Sequence, residues 1–165
     1  AFLANAKVES ANFTTLEEGL FYTTPQRLVF IFRSYFKTVE QATPYLRNPK
    51  KLANYVYGNR LGNRGQDTND GWNHRGRGVG QITGLSNYDR TGTRIGVDLV
   101  SFPEKLLDPY ISCDAFASFF ESTGCNRLAD VQDCGAITQA INGVARLKAK
   151  ERQAFAESIT KILSA

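Results

Sequence analysis

The sequence predicts a mainly α fold in a single domain of 165 residues, with at most a short β-hairpin. Three apolar segments begin at a proline preceded by a good capping residue, an arrangement typical of helix starts: Thr24-Pro25, Asn48-Pro49 and Asp108-Pro109. Patterns that would indicate strands are scarce, and short pieces near 13–22 and 63–75 are the candidates for hairpins. An apolar content of 42% with 22% charged residues is that of an ordinary globular protein.

Six helices are predicted from apolar spacing and from end signals. In residues 1–11, Leu3, Ala6 and Ser10 recur at helical spacing, so Glu9 is expected on the last turn and Asn12 at the stop. The helix over 109–123 is apolar on more than one face and is expected to be central and largely buried. The other helices are expected over 25–37, from Pro49 to Gly58, from Asp133 to Asn142, and in a last segment whose apolar face is Phe155, Ile159, Ile162 and Leu163.

The stretch from Gly58 to Gly80 is rich in glycine, arginine and aspartate and has no apolar periodicity. A loop of this length is uncommon in a compact domain, and when ordered it usually has a function. His74 within it is expected to be a loop residue rather than a ligand. The loop leads into residues 81–88, whose Gln, Thr and Asn side chains suit sugar hydroxyls and acetamides.

The net charge of +4, with an isoelectric point near 9.0, favours a polyanionic partner, either nucleic acid, a membrane surface or an acidic cell-wall polymer. The cations are scattered and are not interleaved with aromatic residues, which argues against nucleic acid. No apolar run approaches the roughly 20 residues of a membrane span. The lack of any methionine leads us to expect a chain processed or excised from a longer one.

The three cysteines show no CxxC spacing and the chain has one histidine, so no metal site is expected. The thiols are expected to be reduced and mostly buried, with Cys113 in the core. Cys125 and Cys134 could alternatively pair.

Glu9 and Glu18 stand on either side of a short polar break. Two carboxylates that face each other across a cleft are what acid/base hydrolysis of a glycosidic bond requires. Two solvated surface charges are the alternative explanation, and Glu17 is the alternative to Glu18. Thr24, which precedes a proline, is expected to be a helix cap at least as much as a site residue.

Six motifs, in this order, resemble the chitinase-like lysozymes, relatives of glycoside hydrolase family 19 found as bacteriophage endolysins and bacterial cell-wall-degrading effectors. The motifs run from Glu9 to Phe13, Glu18 to Tyr22, Asn48 to Tyr57, Arg60 to Asn63, Arg75 to Gly84 with Asn87-Tyr88, and Ile141 to Gly143. The resemblance implies a two-lobed, lysozyme-like α-helical fold. It also implies cleavage, with inversion, of β-1,4 bonds between N-acetylated sugars.

The resemblance also implies the roles of individual residues. Glu9 is similar to the family's general acid, kept protonated by a partly apolar setting. Glu18 is similar to the general base, which stays ionised and activates a water on the opposite face of the sugar. Thr83, or alternatively Thr24, would position that water, and the substrate-contacting positions would be Gln81, Asn87, Asn142 and Arg152.

Simpler explanations exist for two of these residues, and three positions depart from the family pattern. Asn142 precedes Gly143 and could merely end its helix, and Arg152 could belong to a solvated helix face. The departures are Val8 in place of a frequent histidine, Gly80 in place of a larger apolar residue, and Phe120 in place of a common tryptophan.

Together, the resemblance and the positive charge predict a monomeric muramidase that acts on bacterial peptidoglycan without metal or cofactor. Cell walls carry lactyl, peptide and phosphate anions, whereas chitin is neutral. The alternatives are a chitinase acting on β-1,4 N-acetylglucosamine polymers and a wall-binding module without turnover. The enzyme would be made in the bacterial cytoplasm and act in the periplasm or cell wall after release or delivery, with an immunity protein as partner if it is an effector.

Overall fold

The computed structural model describes residues 1–145 and 148–164, leaving out the side chains of Asn142 and Ala145. The described chain is mainly α, as predicted. Its α-helices, named α1 to α10 in order, are Phe2–Glu9, Pro25–Ile31, Val39–Ala42, Pro49–Tyr57, Asp70–Asn73, Leu85–Ile95, Pro109–Ser122, Cys125–Asp130, Cys134–Asn142 and Ala149–Leu163. Short 3-10 helices lie at Thr43–Tyr45, Pro103–Leu107 and Gly143–Ala145.

The helices α2, α4 and α7 begin at the predicted prolines, and side chains cap two of them. Oδ1 of Asn48 accepts a 3.0 Å hydrogen bond from the Lys51 amide at the start of α4. Oδ1 of Asp108 accepts bonds from the amides of the second and third residues of α7. These bonds satisfy amides that a helix leaves without partners at its first turn, and they fix where each helix begins.

Helix α2 is shorter than the predicted span of 25–37, because the chain leaves the helical conformation at Phe32. The turn that follows brings Phe36 into the core, where its ring centroid lies 5.1 Å from that of Tyr45 and 5.4 Å from that of Tyr55. Phe30, on the outer side of α2, is 72% exposed. Tertiary packing of one aromatic side chain therefore outweighs continuation of the helix.

Two other predicted apolar faces are only partly right. One face of α7 is buried, but Cys113 is exposed, so its predicted place in the core is wrong. In α10 the buried residues are Arg152 and Ala156. Phe155 and Ile159 are half-buried beside them, whereas Ile162 and Leu163 at the end of the helix are exposed.

The predicted hairpin near 63–75 is absent, and α5 lies there instead. In the described part of the chain, extended pairing is confined to single antiparallel bridges that join Arg77 to Glu17 and to Ile82. A tight turn over 78–81 closes the second bridge through a 3.0 Å bond from the Gln81 amide to the Gly78 carbonyl. The β-structure is thus a minimal hairpin over 77–82, against which residues 16–18 lie.

The apolar core forms three clusters. The first lies within residues 20–57 and includes Leu28, Phe36, Leu52 and Val56. The second joins α1, the hairpin, α7, α8 and α9 through Ala6, Val79, Phe116, Phe120, Cys125 and Ile137. The third joins α6 to α7 through Tyr88, Leu99, Leu106 and Ala115.

All three cysteines are free thiols, so the pairing of Cys125 with Cys134 left open by the sequence is not formed. No described helix combines the length and the apolar character needed to cross a bilayer. Across residues 1–145 and 148–164, no three His, Cys, Asp or Glu side chains gather in a way that could hold a metal ion.

Candidate active site

Glu18 is held against the hairpin by its backbone and by its side chain. Its amide donates a 2.8 Å bond to the Gly76 carbonyl, and the Gly78 amide donates a 2.8 Å bond to the carbonyl of Leu16. The carboxylate accepts a bond from the Tyr57 hydroxyl at 2.6 Å on Oε1. It accepts a second from the Gly76 amide at 3.3 Å on Oε2. Donors from two separate segments therefore orient both oxygens.

Tyr57, on the last turn of α4, is a dependable donor to this carboxylate. Burial, followed by the negative charge of Glu18, raises the pKa of Tyr57 well above its ordinary value. The phenol consequently stays protonated at any working pH and cannot compete as an anion.

Gly76 allows the Glu18 and Gln81 side chains to approach the same stretch of backbone. A Cβ atom at Gly76 would lie 2.9 Å from Oε1 of Gln81. It would also lie 3.3 Å from Cβ and 3.4 Å from Oε2 of Glu18. Any side chain at this position would press on both residues.

Three of the residues predicted to contact sugar or water follow one another in a chain of hydrogen bonds. Nε2 of Gln81 donates to the Gly78 carbonyl at 3.1 Å. The Thr83 hydroxyl donates to the Gln81 carbonyl at 2.9 Å, and Nδ2 of Asn87 donates to the Thr83 carbonyl at 2.8 Å. All three residues line one cavity of about 430 Å³. The structure thus brings Gln81, Thr83 and Asn87 together, and Gln81 lies beside Glu18 on the backbone at Gly76.

Glu17, the alternative to Glu18, has a different environment. Its Oε1 accepts bonds from Nη2 of Arg75 at 2.6 Å and from Nε of Arg77 at 2.8 Å. Both guanidinium groups are nearly buried, and that of Arg75 lies 3.6 Å from the centre of the Trp72 ring. Glu17 therefore stabilises the start of the hairpin through two ion pairs. Because its carboxylate is engaged in this way, Glu18 is favoured as the residue that faces substrate.

Glu9 lies on the last turn of α1, as predicted, and forms an ion pair with Arg152. Nη2 of Arg152 donates to Oε1 of Glu9 at 2.5 Å, and Nη1 donates to Oδ1 of Asn5 at 2.7 Å. The Arg152 side chain is 3% exposed and that of Glu9 is 20% exposed. Assigning Arg152 to a solvated helix face is therefore wrong, and the surroundings of Glu9 are more polar than predicted.

The helix end beside Glu9 differs from the predicted stop at Asn12. Helix α1 ends at Glu9, and Ser10 takes the cap position. Ala11, Asn12 and Phe13 follow with φ values of 49°, 62° and 62°. These left-handed conformations are unfavourable for residues other than glycine. The buried Ser10 side chain supports the turn, because its Oγ accepts a bond from the Phe13 amide at 2.9 Å.

Two predicted site residues have no described contact with the carboxylates. Thr24 is exposed at the N-cap position of α2, and its hydroxyl accepts no capping hydrogen bond. In the described contacts no hydrogen bond joins Thr24 to Glu9 or Glu18. Asn142 is the last residue of α9, and its side chain, to which the substrate-contacting role was assigned, lies outside the described residues.

His74 is a structural residue rather than a site residue. It ends α5 and is 3% exposed. Its ring nitrogens lie 3.2 Å from the Asp70 carbonyl and 3.3 Å from the Val100 carbonyl.

Tyr57, Gly76 and Arg75 belong to the site's construction but were not predicted as site residues. Tyr57 and Glu18 are 39 positions apart, so spacing along the chain does not indicate their contact. All three residues do lie inside motifs of the family resemblance, which was the available signal.

A carboxylate held beside polar side chains on a mainly α fold is an arrangement that glycoside hydrolases use. Over 142 residues the chain is 36% identical to a protein of Haemophilus influenzae described as a glycosyl hydrolase family 19 domain-containing protein. The match covers 86% of this chain and 68% of that protein. No protein-family profile matches the sequence. The chain belongs to glycosyl hydrolase family 19, which confirms the predicted family.

Proposed function

We propose that this domain is a muramidase, which hydrolyses the β-1,4 bond between N-acetylmuramic acid and N-acetylglucosamine of bacterial peptidoglycan with inversion. The observation that carries the proposal is the placement of Glu18, whose carboxylate is oriented by Tyr57 and Gly76 beside Gln81. Family membership supports the hydrolytic class of reaction.

Glu18 is suited to act as the general base. A carboxylate offers about four acceptor sites, and Tyr57 and Gly76 occupy two of them. The remaining sites can accept a proton from a water molecule that attacks the anomeric carbon. Thr83 is the proposed partner for that water, since its hydroxyl donates to the Gln81 carbonyl and keeps lone pairs that can accept a bond from water.

Glu9 is proposed as the general acid, with Arg152 as its positioning residue. Arg152 binds Oε1 of Glu9 and so orients the carboxyl group that donates the proton. Glu9 must carry that proton when substrate is bound, because the leaving oxygen needs it as the glycosidic bond breaks. The guanidinium then stabilises the carboxylate that remains.

The net charge of +4 favours peptidoglycan over neutral chitin, because long-range attraction concentrates a cationic enzyme at an anionic wall. A chitinase is the second candidate. The neutral donors and acceptors of Gln81, Thr83 and Asn87 suit the acetamide of either polymer. We further propose that the domain acts as a monomer in the periplasm or cell wall.

Purified peptidoglycan sacculi test the function directly. We expect loss of turbidity together with new reducing ends, and mass spectrometry should find N-acetylmuramic acid at those ends. Anhydro-muramic ends would instead indicate a lytic transglycosylase, and soluble oligomers from chitin alone would indicate a chitinase. Binding of sacculi without new ends would indicate a wall-binding module.

Substitution of Glu9 tests the assignment of the acid. Glu9→Gln removes the proton donor while keeping the size of the side chain, so cleavage should be lost and sacculus binding kept. Glu104→Gln is the matched control, because Glu104 is exposed and lies on a 3-10 helix. Full activity of Glu9→Gln would show that another residue is the acid.

A further inference from the structure

The cavity that holds Gln81, Thr83 and Asn87 also has a cationic side. Arg90 and Arg94 of α6 both line it. They are four residues apart, which places them on the same face of the helix, one turn apart. The family resemblance assigned no role to either residue.

The floor of this cavity is aromatic. A Cβ atom at Gly80 would lie 2.9 Å from Cδ2 of Phe116 and 3.7 Å from the ring atoms on either side, so the backbone lies against the edge of that ring. Phe116 is buried, whereas the Phe119 ring beside it is 37% exposed. An exposed aromatic ring beside polar groups suits the face of a sugar, and about 430 Å³ is an ordinary size for a ligand pocket.

The charges of Arg90 and Arg94 are available to a ligand. Both side chains are exposed, and neither forms an ion pair with any residue in the described ranges. Nη2 of Arg90 lies 3.5 Å from Oδ1 of Asn87, a neutral contact at the limit of a hydrogen bond. None of the described residues that line the cavity is acidic.

Two acidic residues, Asp114 and Glu121, line a neighbouring cavity, which shares Arg94 with the first. Arg94 therefore lines both cavities, while Arg90 lines only the one without acidic residues among those described. Two like charges one helical turn apart repel each other, and an anion placed between them would relieve the repulsion.

We propose that Arg90 and Arg94 form an anion subsite that binds a carboxylate carried by the glycan. The inference rests on the proposed function, and it names the feature by which this site would recognise its substrate. In peptidoglycan the carboxylate is that of the stem peptide, or the lactyl carboxylate where the peptide has been removed. Chitin carries neither group. Arginine is suited to the task because its planar fork can donate two parallel bonds to a carboxylate.

Hydrolysis of charged and neutral substrates by the same variants tests this subsite. In Arg90→Gln/Arg94→Gln, kcat/KM on sacculi should fall about tenfold or more, the loss expected for a hydrogen bond to a charged group. On N-acetylglucosamine hexamers, any cleavage should change less than about twofold, since that substrate gives the arginines nothing to bind. Sacculi stripped of peptide by an amidase locate the carboxylate. If the variant still loses activity relative to the wild-type protein on these sacculi, the lactyl carboxylate is the ligand. If the loss disappears, the ligand is the carboxylate of the stem peptide.

The matched control is Arg33→Gln/Lys50→Gln, which removes the same charge at exposed positions outside both of the cavities described above. An equal loss of kcat/KM in this control would show that the loss comes from the lower overall charge, and it would overturn the proposal. Equal loss on sacculi and hexamers, or no loss on either, would also overturn it. Calorimetric titration with a disaccharide-tetrapeptide and with neutral chitotetraose gives a second readout that does not depend on turnover. Failure of the wild-type protein to release reducing ends from sacculi would instead contradict the muramidase itself.

Discussion

The hydroxyl of Tyr57 and the carboxylate of Glu18 are joined by a 2.6 Å hydrogen bond between residues 39 positions apart. Tyr57 belongs to the last turn of α4, whereas Glu18 lies in an extended segment beside the hairpin. The first apolar cluster, which includes Leu20 and Val56, packs together the chain next to both residues. The position of the proposed base therefore depends on the packing of a helix outside the hairpin.

Tyr57→Phe should lower kcat about tenfold with little change in KM, because the hydrogen bond fixes the orientation of Glu18 and makes no contact with substrate. Steady-state kinetics on solubilised peptidoglycan would measure the effect. Tyr110→Phe is the matched control, since the Tyr110 side chain is 85% exposed. Unchanged kcat in Tyr57→Phe would show that Gly76 alone is sufficient to orient the carboxylate.

Gly76→Ala should lower kcat by about 10- to 100-fold, because the added methyl group would displace Gln81 and Glu18 from their shared stretch of backbone. The comparison is Gly19→Ala one residue after the base, where a Cβ atom would meet nothing within 4 Å. That control should keep its activity, and its free energy of unfolding should be unchanged or raised by up to about 1 kcal/mol. Equal activity in the two variants would contradict the close approach at Gly76.

The sequence predicts where helices begin better than it predicts where they end or which residues they bury. The capping oxygens of Asn48 and Asp108 act within three residues, so short-range patterns were sufficient to place α4 and α7. The end of α2 and the exposure of Cys113 were mispredicted because both are decided by packing against distant segments. Helix α6 was missed because much of its length is polar, and its buried residues are Tyr88 and Gly92.

Contacts within the site also join residues that are far apart in the sequence. Glu9 and Glu18 were proposed from motifs, and the structure places Glu18 beside Gln81. The contact of Arg152 with Glu9 spans 143 positions. The residue type alone favoured a solvated helix face, because arginine is rarely buried unless it is paired. What periodicity could not supply was the identity of that partner.

Arg152→Gln should lower the free energy of unfolding by about 1–3 kcal/mol, because it removes a buried charge that bonds to both Glu9 and Asn5. Urea denaturation of the single variants and of the Glu9→Gln/Arg152→Gln double variant would measure the coupling. The double variant should be more stable than the sum of the two single losses predicts. Strict additivity would mean that the ion pair contributes nothing to folding.

The acid stability of the domain should depend on Asp70, which accepts three bonds from Arg64 at the start of α5. The Arg64 amide and Nε reach Oδ2 at 3.0 and 2.7 Å, and Nη2 reaches Oδ1 at 2.8 Å. The side-chain bonds from Arg64 are the main cause that lowers the pKa of Asp70 to about 2, from 3.8. A carboxyl group whose pKa is lowered by folding stabilises the native state above its ordinary pKa, and this stabilisation is lost as the pH falls through the folded value.

Asp70→Asn should therefore lower the free energy of unfolding near neutral pH by about 1–2 kcal/mol. The figure is modest because the Arg64 side chain is 70% exposed and solvent screens its charge. The difference from the wild-type protein should stay constant from neutral pH down to about 5 and shrink between about 4 and 2, as the wild-type carboxylate takes up its proton. Asp67→Asn, at an exposed position of the same loop, should leave the fall in stability below about pH 4 unchanged. A stability difference that did not narrow in acid would mean that the lost packing of Asp70, rather than its charge, accounts for the effect.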